Sequence, residues 1–200
     1  MPSAKNIELV TELPVKSANI DLKLLEGLKS GDDRAFAQLY DLYKDKLFKI
    51  AMLYFKNTDT AKDCVQESFI SLYRSRGSIR MTGSIFPYLA RILTNACLQE
   101  KRSAARRDKR EQGSLKKDTH SESPEEHMQA TALGRELLQT LEAMPAKRKA
   151  CTTLRLETDM SVSEIAQAAG VTYLAARLHI HRGMSELKSA ATNFGAGEEQ

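Results

Sequence analysis

The sequence predicts an all-α protein in which a flexible linker joins two small helical domains. Apolar residues recur at helical spacings of three and four through most of the chain, and no segment shows the alternation that is typical of a strand. Residues 111–130 interrupt this periodicity with Gly, Ser, His and acidic residues, which indicates a linker. We therefore expect a disordered leader at 1–18, a four-helix domain at 19–110, a second helical domain at 131–192 and a tail at 193–200.

Composition narrows the classes of function. With 200 residues and 42% hydrophobic content the chain can bury real cores, and its net charge of +4 is only mildly basic. A nucleic-acid surface must therefore come from local clusters of cations. Without a signal-peptide segment or a membrane-length apolar run, we expect a cytoplasmic protein that is not stably inserted in a membrane. Three cysteines, far apart in apolar helical patterns, predict reduced core thiols and no disulfide or metal site: Cys64, Cys97 and Cys151.

Capping residues divide the first domain into helices. The first helix is expected to begin near Asn19 or Asp21 and to stop at Gly31. Asp32 or Asp33 can then cap a long second helix. The apolar stripe of this second helix consists of Phe36, Leu39, Tyr40, Tyr43, Leu47, Ile50 and Ala51.

The third helix has two contrasting faces, and a break at Asn57 separates it from the second helix. An isoleucine beside two acids on its outward face favours a docking surface for a partner. An ordinary surface helix with one exposed apolar residue is the alternative. The face expected in the core carries Ala61, Cys64, Val65, Phe69 and Leu72. The outward face carries Asp63, Gln66, Glu67 and Ile70.

A loop and a fourth helix complete the first domain. Residues 74–83 contain glycines, serines and arginines without periodicity, so we expect a loop there. Ser84 can cap the next helix, with Pro87 in the first turn, where a missing backbone donor is tolerated. This helix ends in a strongly basic run at 101–110.

The second domain is expected to begin with two short helices, one that ends at Met144 and one that spans 147–157. Ser161 and Glu164 form a capping box for a third short helix, which Gly170 closes. A tight glycine turn between this helix and a longer one is the pattern of a helix-turn-helix.

Thr172 caps the last long helix, and basic residues on its outward side favour contact with DNA. We expect Leu174 and Leu178 to pack locally, with an exposed surface for an inhibitor as the alternative. The buried stripe is expected to contain Ala176, Ile180, Gly183 and Leu187. The rest of the circumference carries Tyr173, Arg177, His179, His181 and Arg182.

The sequence lacks the motifs that enzymes use. It contains no Gly-rich phosphate loop followed by Lys and Ser or Thr, no Gly-x-Ser-x-Gly elbow and no His-Glu-x-x-His. His179 and His181 are two residues apart, so on a helix they diverge by about 200° and cannot share a metal. We expect neither an enzyme nor a bound cofactor or metal.

The run from Asp63 to Phe69 reads aspartate, apolar pair, Gln-Glu, small residue and Phe. It closely resembles the helix of bacterial sigma factors that docks on the RNA polymerase clamp. Further blocks resemble, in order and spacing, the sigma-70 family's extracytoplasmic-function (ECF) group. Those similar to its sigma-2 domain are Gly31-Asp32, Ala35-Phe36, Leu39-Tyr40, Tyr43, Gly83-Ser84, Tyr88-Leu89-Ala90 and Asn95. Those similar to its sigma-4 helix-turn-helix are Met144-Pro145, Ser161, Glu164-Ile165-Ala166, Gly170-Val171 and His181-Arg182.

The resemblance implies an ECF-like sigma factor that binds core RNA polymerase and directs promoter recognition, melting and transcription initiation. Its expected partners are core RNA polymerase, promoter DNA and an anti-sigma factor. The docking residues would be Asp63, Gln66, Glu67 and Ile70. The residues for single-stranded promoter DNA would be Arg76, Arg80, Arg91 and Asn95. The residues for the upstream duplex would be Tyr173, Arg177, His179, His181 and Arg182.

Two other functions remain open at this point. One is a dimeric helix-turn-helix regulator that binds duplex DNA without polymerase, and the other is a helical adaptor that binds only proteins. The chain also departs from the family pattern, which leaves the promoter sequence open. Tyrosine replaces the usual tryptophan at Tyr73 and Tyr88, Gln99 replaces an acid, and the last helix begins differently at Ala175.

Overall fold

The computed structural model describes residues 13–80, 83–111 and 131–197, and these ranges contain eight α-helices, one 3-10 turn and no strand. The predicted all-helical fold is therefore confirmed. The first four helices are α1 (Leu13–Ser30), α2 (Asp33–Met52), α3 (Thr58–Ser75) and α4 (Phe86–Glu111), with the 3-10 turn at Arg76–Ser78. The last four are α5 (Ala132–Ala143), α6 (Ala146–Glu157), α7 (Val162–Ala169) and α8 (Tyr173–Gly197).

Local signals set the helix ends of the first domain largely as predicted. Gly31 follows α1 with a φ of 84°, a conformation that favours glycine. The Asp32 carboxylate accepts a hydrogen bond from the N–H of Arg34 and caps α2. Asn57 caps α3 in the same way, because its side chain accepts from the N–H of Thr60.

Helix α1 begins earlier than the sequence predicted. Residues 13–18 form its first turns, although they were assigned to a disordered leader. Pro14 lies in the first turn, where its missing N–H leaves no hydrogen bond unmade, so it does not prevent the helix from starting there. Residues 1–12 of the predicted leader lie outside the described residues.

Helix α8 also extends further than predicted. It continues to Gly197, past residue 193 where we expected the tail to begin, because no proline interrupts this stretch. Almost all of the predicted linker, residues 112–130, lies outside the described residues, as do residues 81–82 and 198–200.

The first domain packs α2, α3 and α4 around a shared core. Phe69 lies at its centre with 2% of its surface exposed. Its ring is 4.8 Å from that of Tyr40 and 6.3 Å, edge to face, from that of Phe36. The predicted core face of α3 is confirmed, since its members are all buried: Ala61, Cys64, Val65, Phe69 and Leu72.

The second domain contains the predicted turn. Ser161 and Glu164 form the reciprocal capping box at the start of α7. Gly170 ends this helix with a φ of 62°, and the Thr172 hydroxyl accepts from the N–H of Ala175 at the start of α8. The short α7 and the long α8, joined by this turn, pack against each other as the sequence predicted.

The two domains contact each other. A single cluster of buried apolar residues runs from the first domain into α6, α7 and α8. Helix α7 packs against α4, and α6 packs against α2 and α4. Leu53, after α2, joins a second cluster with Leu141, Met144 and Leu187. The two helical domains therefore share a buried surface.

Candidate functional site

The outward face of α3 carries all four predicted docking residues. Asp63, Gln66, Glu67 and Ile70 are exposed, and Ile70 keeps 41% of its surface accessible. They share this face because the opposite side of the helix is committed to the core. We call these four residues the docking face. Its carboxylates are largely free, since Glu67 has a distant ion pair, at 3.8 Å, with Arg74 and a long hydrogen bond, at 3.5 Å, from the Ser71 hydroxyl.

The loop between α3 and α4 is held at both ends. Ile79 and Ile85 are buried, whereas Arg80 between them is exposed. At the α3 end, the Tyr88 hydroxyl donates to the Ser75 hydroxyl oxygen at 3.1 Å. Arg80 therefore follows the buried Ile79 directly and is open to solvent. We call the described residues 79–80 and 83–85 the anchored loop.

Asp21 anchors the α4 end of the loop, and sequence reasoning did not assign it to the site. Its buried carboxylate accepts from the hydroxyls of Tyr43 and Ser84 and from the N–H of Ile85. The sequence contains a signal for its burial, because Asp21 lies four residues before Leu25 and thus on the buried face of α1. Burial, followed by the hydrogen bond to Asp21, raises the pKa of the Tyr43 phenol.

Arg76 is placed differently from Arg80. Its guanidinium stacks on the Tyr73 ring at 4.0 Å from the ring centre and donates to the Tyr73 carbonyl oxygen at 2.7 Å. These contacts arise because the 3-10 turn folds Arg76 back onto the last turn of α3. Tyr73, a departure from the family pattern, also packs edge to face on Phe36 at 5.6 Å.

Helix α4 places the other residues predicted to contact single-stranded DNA along one exposed row. Arg91 and Asn95 are exposed and four residues apart, so they lie one turn from each other. Asn95 also lines a groove of about 830 Å³ between α4 and the second domain. Polar and cationic side chains in its lining are Asn95, Gln99, Arg102, Arg106 and Lys147. The row therefore leads from the loop to a strongly basic groove.

The start of α8 presents most of the predicted duplex residues to solvent. Tyr173, Arg177, His181 and Arg182 are exposed. His179 is not part of this surface in the way we expected, since it is half-buried and its Nδ1 is fully covered. The reason is its position, three residues after the buried Ala176, which turns it towards the packed side of the helix.

Leu174 and Leu178 are exposed, so the prediction that they pack locally is wrong. Leu174 keeps 73% and Leu178 keeps 46% of its surface accessible. With Tyr173 they form an apolar strip on the first turns of α8. Two leucines in the open are unusual beside a basic surface, and they suit contact with an apolar partner group.

Polar groups are buried where the two domains meet. Lys149 of α6 is 4% exposed, and its ammonium lies 5.2 Å from the centre of the Tyr54 ring. Burial, followed by the nearby Lys101 ammonium, lowers the pKa of Lys149 to about 8. The buried hydroxyls of Tyr54, Thr94 and Thr153 make no hydrogen bond of good geometry.

All three cysteines are free and buried, as predicted. The tertiary fold brings Cys64 and Cys97 together between α3 and α4, where their thiols interact. Burial raises the pKa of the Cys151 thiol to about 11. Within the described residues, no group of three or more His, Cys, Asp or Glu side chains could hold a metal ion. None of the described helices is long and apolar enough to cross a membrane.

Comparison with known proteins identifies the class of protein to which this chain belongs. Residues 39–107 match the family model for Sigma-70 region 2. The structure of CnrH in complex with the cytosolic domain of CnrY is similar, with a TM-score of 0.64 at 20% identity over 85% of this chain and 96% of that one. The sigma factor RpoE from Bartonella quintana, solved with the anti-sigma factor NepR, also has a TM-score of 0.64, at 18% identity over 78% and 96%. At these identities the likeness shows a shared fold.

Two relatives in sequence identify the group within this family to which the chain belongs. An ECF RNA polymerase sigma-E factor of Haemophilus influenzae is 30% identical over 157 residues, which cover 74% of this chain and 82% of the relative. The ECF RNA polymerase sigma factor SigW of Bacillus subtilis is 26% identical over 175 residues, or 83% and 94% of the two chains. The chain therefore belongs to the ECF group of the sigma-70 family and is a polymerase-binding sigma factor. This membership decides against the dimeric regulator and the protein-binding adaptor.

Proposed function

We propose that this sigma factor divides its work among three surfaces. The docking face binds core RNA polymerase, the anchored loop with α4 captures single-stranded promoter DNA, and the start of α8 contacts the upstream duplex. The observation that carries the proposal is the docking face itself, with two carboxylates and one exposed isoleucine on a helix whose other side is buried. We propose no catalytic role, and we propose that the protein acts in the bacterial cytoplasm.

Charge complementarity explains why the docking face would bind polymerase. Carboxylates that meet basic groups at a desolvated interface gain most from the pairing, and an apolar residue beside them excludes water. The docking face has both kinds of group on neighbouring turns. Asp63 and Glu67 are four residues apart, so one partner surface can contact both carboxylates.

Reversal of both charges tests this assignment. The double variant Asp63→Lys with Glu67→Lys should weaken binding of core polymerase by about 2 to 5 kcal/mol, measured by fluorescence anisotropy with labelled sigma factor. The matched control is Asp41→Lys with Asp45→Lys, which changes the same charge at the same spacing on the exposed side of α2, although it also removes the ion pair of Asp41 with Lys44. An unchanged dissociation constant in the first variant, or an equal loss in both, would contradict the docking assignment.

Strand capture is assigned to Arg80, Arg91 and Asn95. An unstacked strand needs cations that follow its phosphates and polar groups that meet its bases, and these exposed side chains offer both. Arg76, although predicted for the same task, is held against Tyr73, so we propose that it supports the turn and does not contact DNA.

Duplex contact is assigned to the exposed residues of α8. Arg177 lies near the end of the helix that would enter a major groove and can contact base edges, whereas Arg182, further along, would contact phosphates. Tyr173 and His181 flank them. For these tasks we propose a first domain at 19–110, extended by α1 back to residue 13, and a second at 131–192, extended by α8 to residue 197, with the predicted linker between them.

An anti-sigma factor is the third proposed partner. One structural neighbour is the sigma factor RpoE, solved with the anti-sigma factor NepR, and the other is CnrH, solved with the cytosolic domain of CnrY. The exposed Leu174 and Leu178 supply an apolar surface that promoter DNA does not require. This strip supports the proposal that such a partner covers the start of α8.

A further inference from the structure

Asp21 is a buried carboxylate without an ion pair among the described side chains. It is 0% exposed on α1, yet its two oxygens receive three donors from other parts of the chain. The Tyr43 hydroxyl of α2 lies 2.6 and 2.7 Å from the two oxygens. The Ser84 hydroxyl donates at 2.7 Å and the N–H of Ile85 at 2.9 Å.

Two of these donors belong to the end of the anchored loop. Ser84 transmits the contact one step further, because its hydroxyl oxygen accepts from the N–H of Phe86, the first residue of α4, at 3.2 Å. Asp21 therefore fixes both the end of the loop and the start of the helix that carries Arg91 and Asn95.

A role in packing alone does not account for a carboxylate here. Burial of a charge is costly, and a well-packed apolar side chain of similar size would stabilise the same three elements equally well or better. What a carboxylate adds is direction, since charge-assisted hydrogen bonds are short and constrain the angle of each donor. The donors constrained in this way are those that orient the loop.

We infer that Asp21 is a positioning residue for promoter melting: through Ser84 and Ile85 it holds the start of α4 so that Arg91 and Asn95 face the unpaired strand. This gives α1 a task that is distinct from docking. The inference rests on the proposed assignment of strand capture to the loop and α4.

Three single variants separate positioning from stability. Asp21→Asn replaces one acceptor oxygen by an amide that faces the donors. Ser84→Ala removes the loop side of the network, and Tyr43→Phe removes only the α2 side while the loop contacts remain. Each full-length variant is bound to core polymerase on a promoter fragment selected with the parent protein. Permanganate reactivity of unpaired thymines reports melting, and polymerase affinity and thermal unfolding are measured in parallel.

We expect Ser84→Ala and Asp21→Asn to lower thymine reactivity by about tenfold, as the loss of a hydrogen bond to a charged group would. Polymerase affinity should equal that of the parent in all three variants. Tyr43→Phe should lower the melting temperature as much as Ser84→Ala does, yet melt the promoter as the parent does. If Asp21→Asn does not fold, the comparison of Ser84→Ala with Tyr43→Phe still decides whether the hydrogen bonds to Ser84 act on promoter melting.

Two results would overturn the inference. One is parental thymine reactivity in Ser84→Ala, and the other is an equal loss of reactivity in Ser84→Ala and Tyr43→Phe, which would indicate general destabilisation. Failure of the proposed function looks different, because the parent protein itself would then fail to bind core polymerase or to open the promoter.

Discussion

Two junctions of the molecule differ in what they bury. The junction between α3 and α4, inside the first domain, is formed by large apolar side chains such as Phe69, Leu72 and Leu93. The junction between the domains also contains apolar contacts, but it buries Lys149 and several hydroxyls that lack good hydrogen bonds. Desolvation of these groups opposes the packing energy. We therefore expect the second junction to be the weaker one and to open before either domain unfolds.

The largest effect is expected from a substitution that disrupts the first junction, between α3 and α4. Phe69→Ala should lower the free energy of unfolding by about 3 to 5 kcal/mol, because it leaves a cavity in a core that cannot fully collapse. Urea denaturation followed by circular dichroism measures this change. Leu42→Ala, at a position that is 51% exposed on α2, is the control and should stay within about 0.5 kcal/mol of the parent. Equal effects at both positions would contradict the assigned core.

The next largest effect is expected from a substitution that strengthens the second junction, between the domains. Lys149→Met should stabilise the contact between the domains by about 1 to 4 kcal/mol, because it removes a buried charge and keeps a side chain of similar length. Energy transfer between dyes on the two domains should show a larger closed population. Lys23→Met, at an exposed lysine on α1, should leave that population unchanged. A more open Lys149→Met variant would show that the charge holds the domains together.

The pH dependence of the contact should reveal the same lysine. The pKa of Lys149 is lowered from 10.5 to about 8 when the domains are closed, and the titratable groups that face it are Lys101, Glu142, Cys97 and Tyr54. Closure releases a proton between these two values, so the contact should strengthen as the pH rises from about 8 to about 10.5 and stay constant below. The gain is at most about 3 kcal/mol.

The same energy-transfer measurement across this pH range checks the prediction. Lys149→Met serves as the control and should show no rise between pH 8 and pH 10.5. A rise of the same size in that variant would assign the titration to a different group.

The smallest effect concerns the rim of the second junction. Lys101 and Glu142 form an ion pair across it, but both side chains are partly in solvent. Glu142→Gln should therefore weaken closure by only about 0.2 to 1 kcal/mol, and added salt should reduce the difference between variant and parent. A loss as large as that expected for Phe69→Ala would show that the rim, and not the buried contact, holds the domains.

Local signals predicted the helices and many of the exposed faces. The stripe around Phe69, the capping box of Ser161 and the turn at Gly170 depend on neighbours within a few residues, so the sequence contains them. The stacking of Arg76 on Tyr73 and the burial of His179 depend on how a turn or a helix sits against its surroundings. Such features could not be predicted from spacing alone.

The contact between the domains was missed for the same reason. Its residues lie in stripes that the sequence already explained, and no pattern distinguishes a stripe that packs within a domain from one that packs on another. Asp21 shows a further limit. Its partners Ser84 and Ile85 are more than sixty residues away along the chain, so only the tertiary structure reveals their hydrogen bonds.

Helix α8 crosses α6 at Gly183, where a Cβ atom would lie 1.9 Å from Oγ1 of Thr152. The two backbones therefore approach as closely as the side chain of Thr152 permits. This crossing sets the direction in which α8 leaves the second domain, and with it the rows of side chains that could enter a DNA groove. Positions 152 and 183 thus form a pair that must change together. A relative with alanine at position 183 would need a smaller residue at position 152, or would carry its α8 at a different angle and present different side chains to the duplex that we propose it contacts.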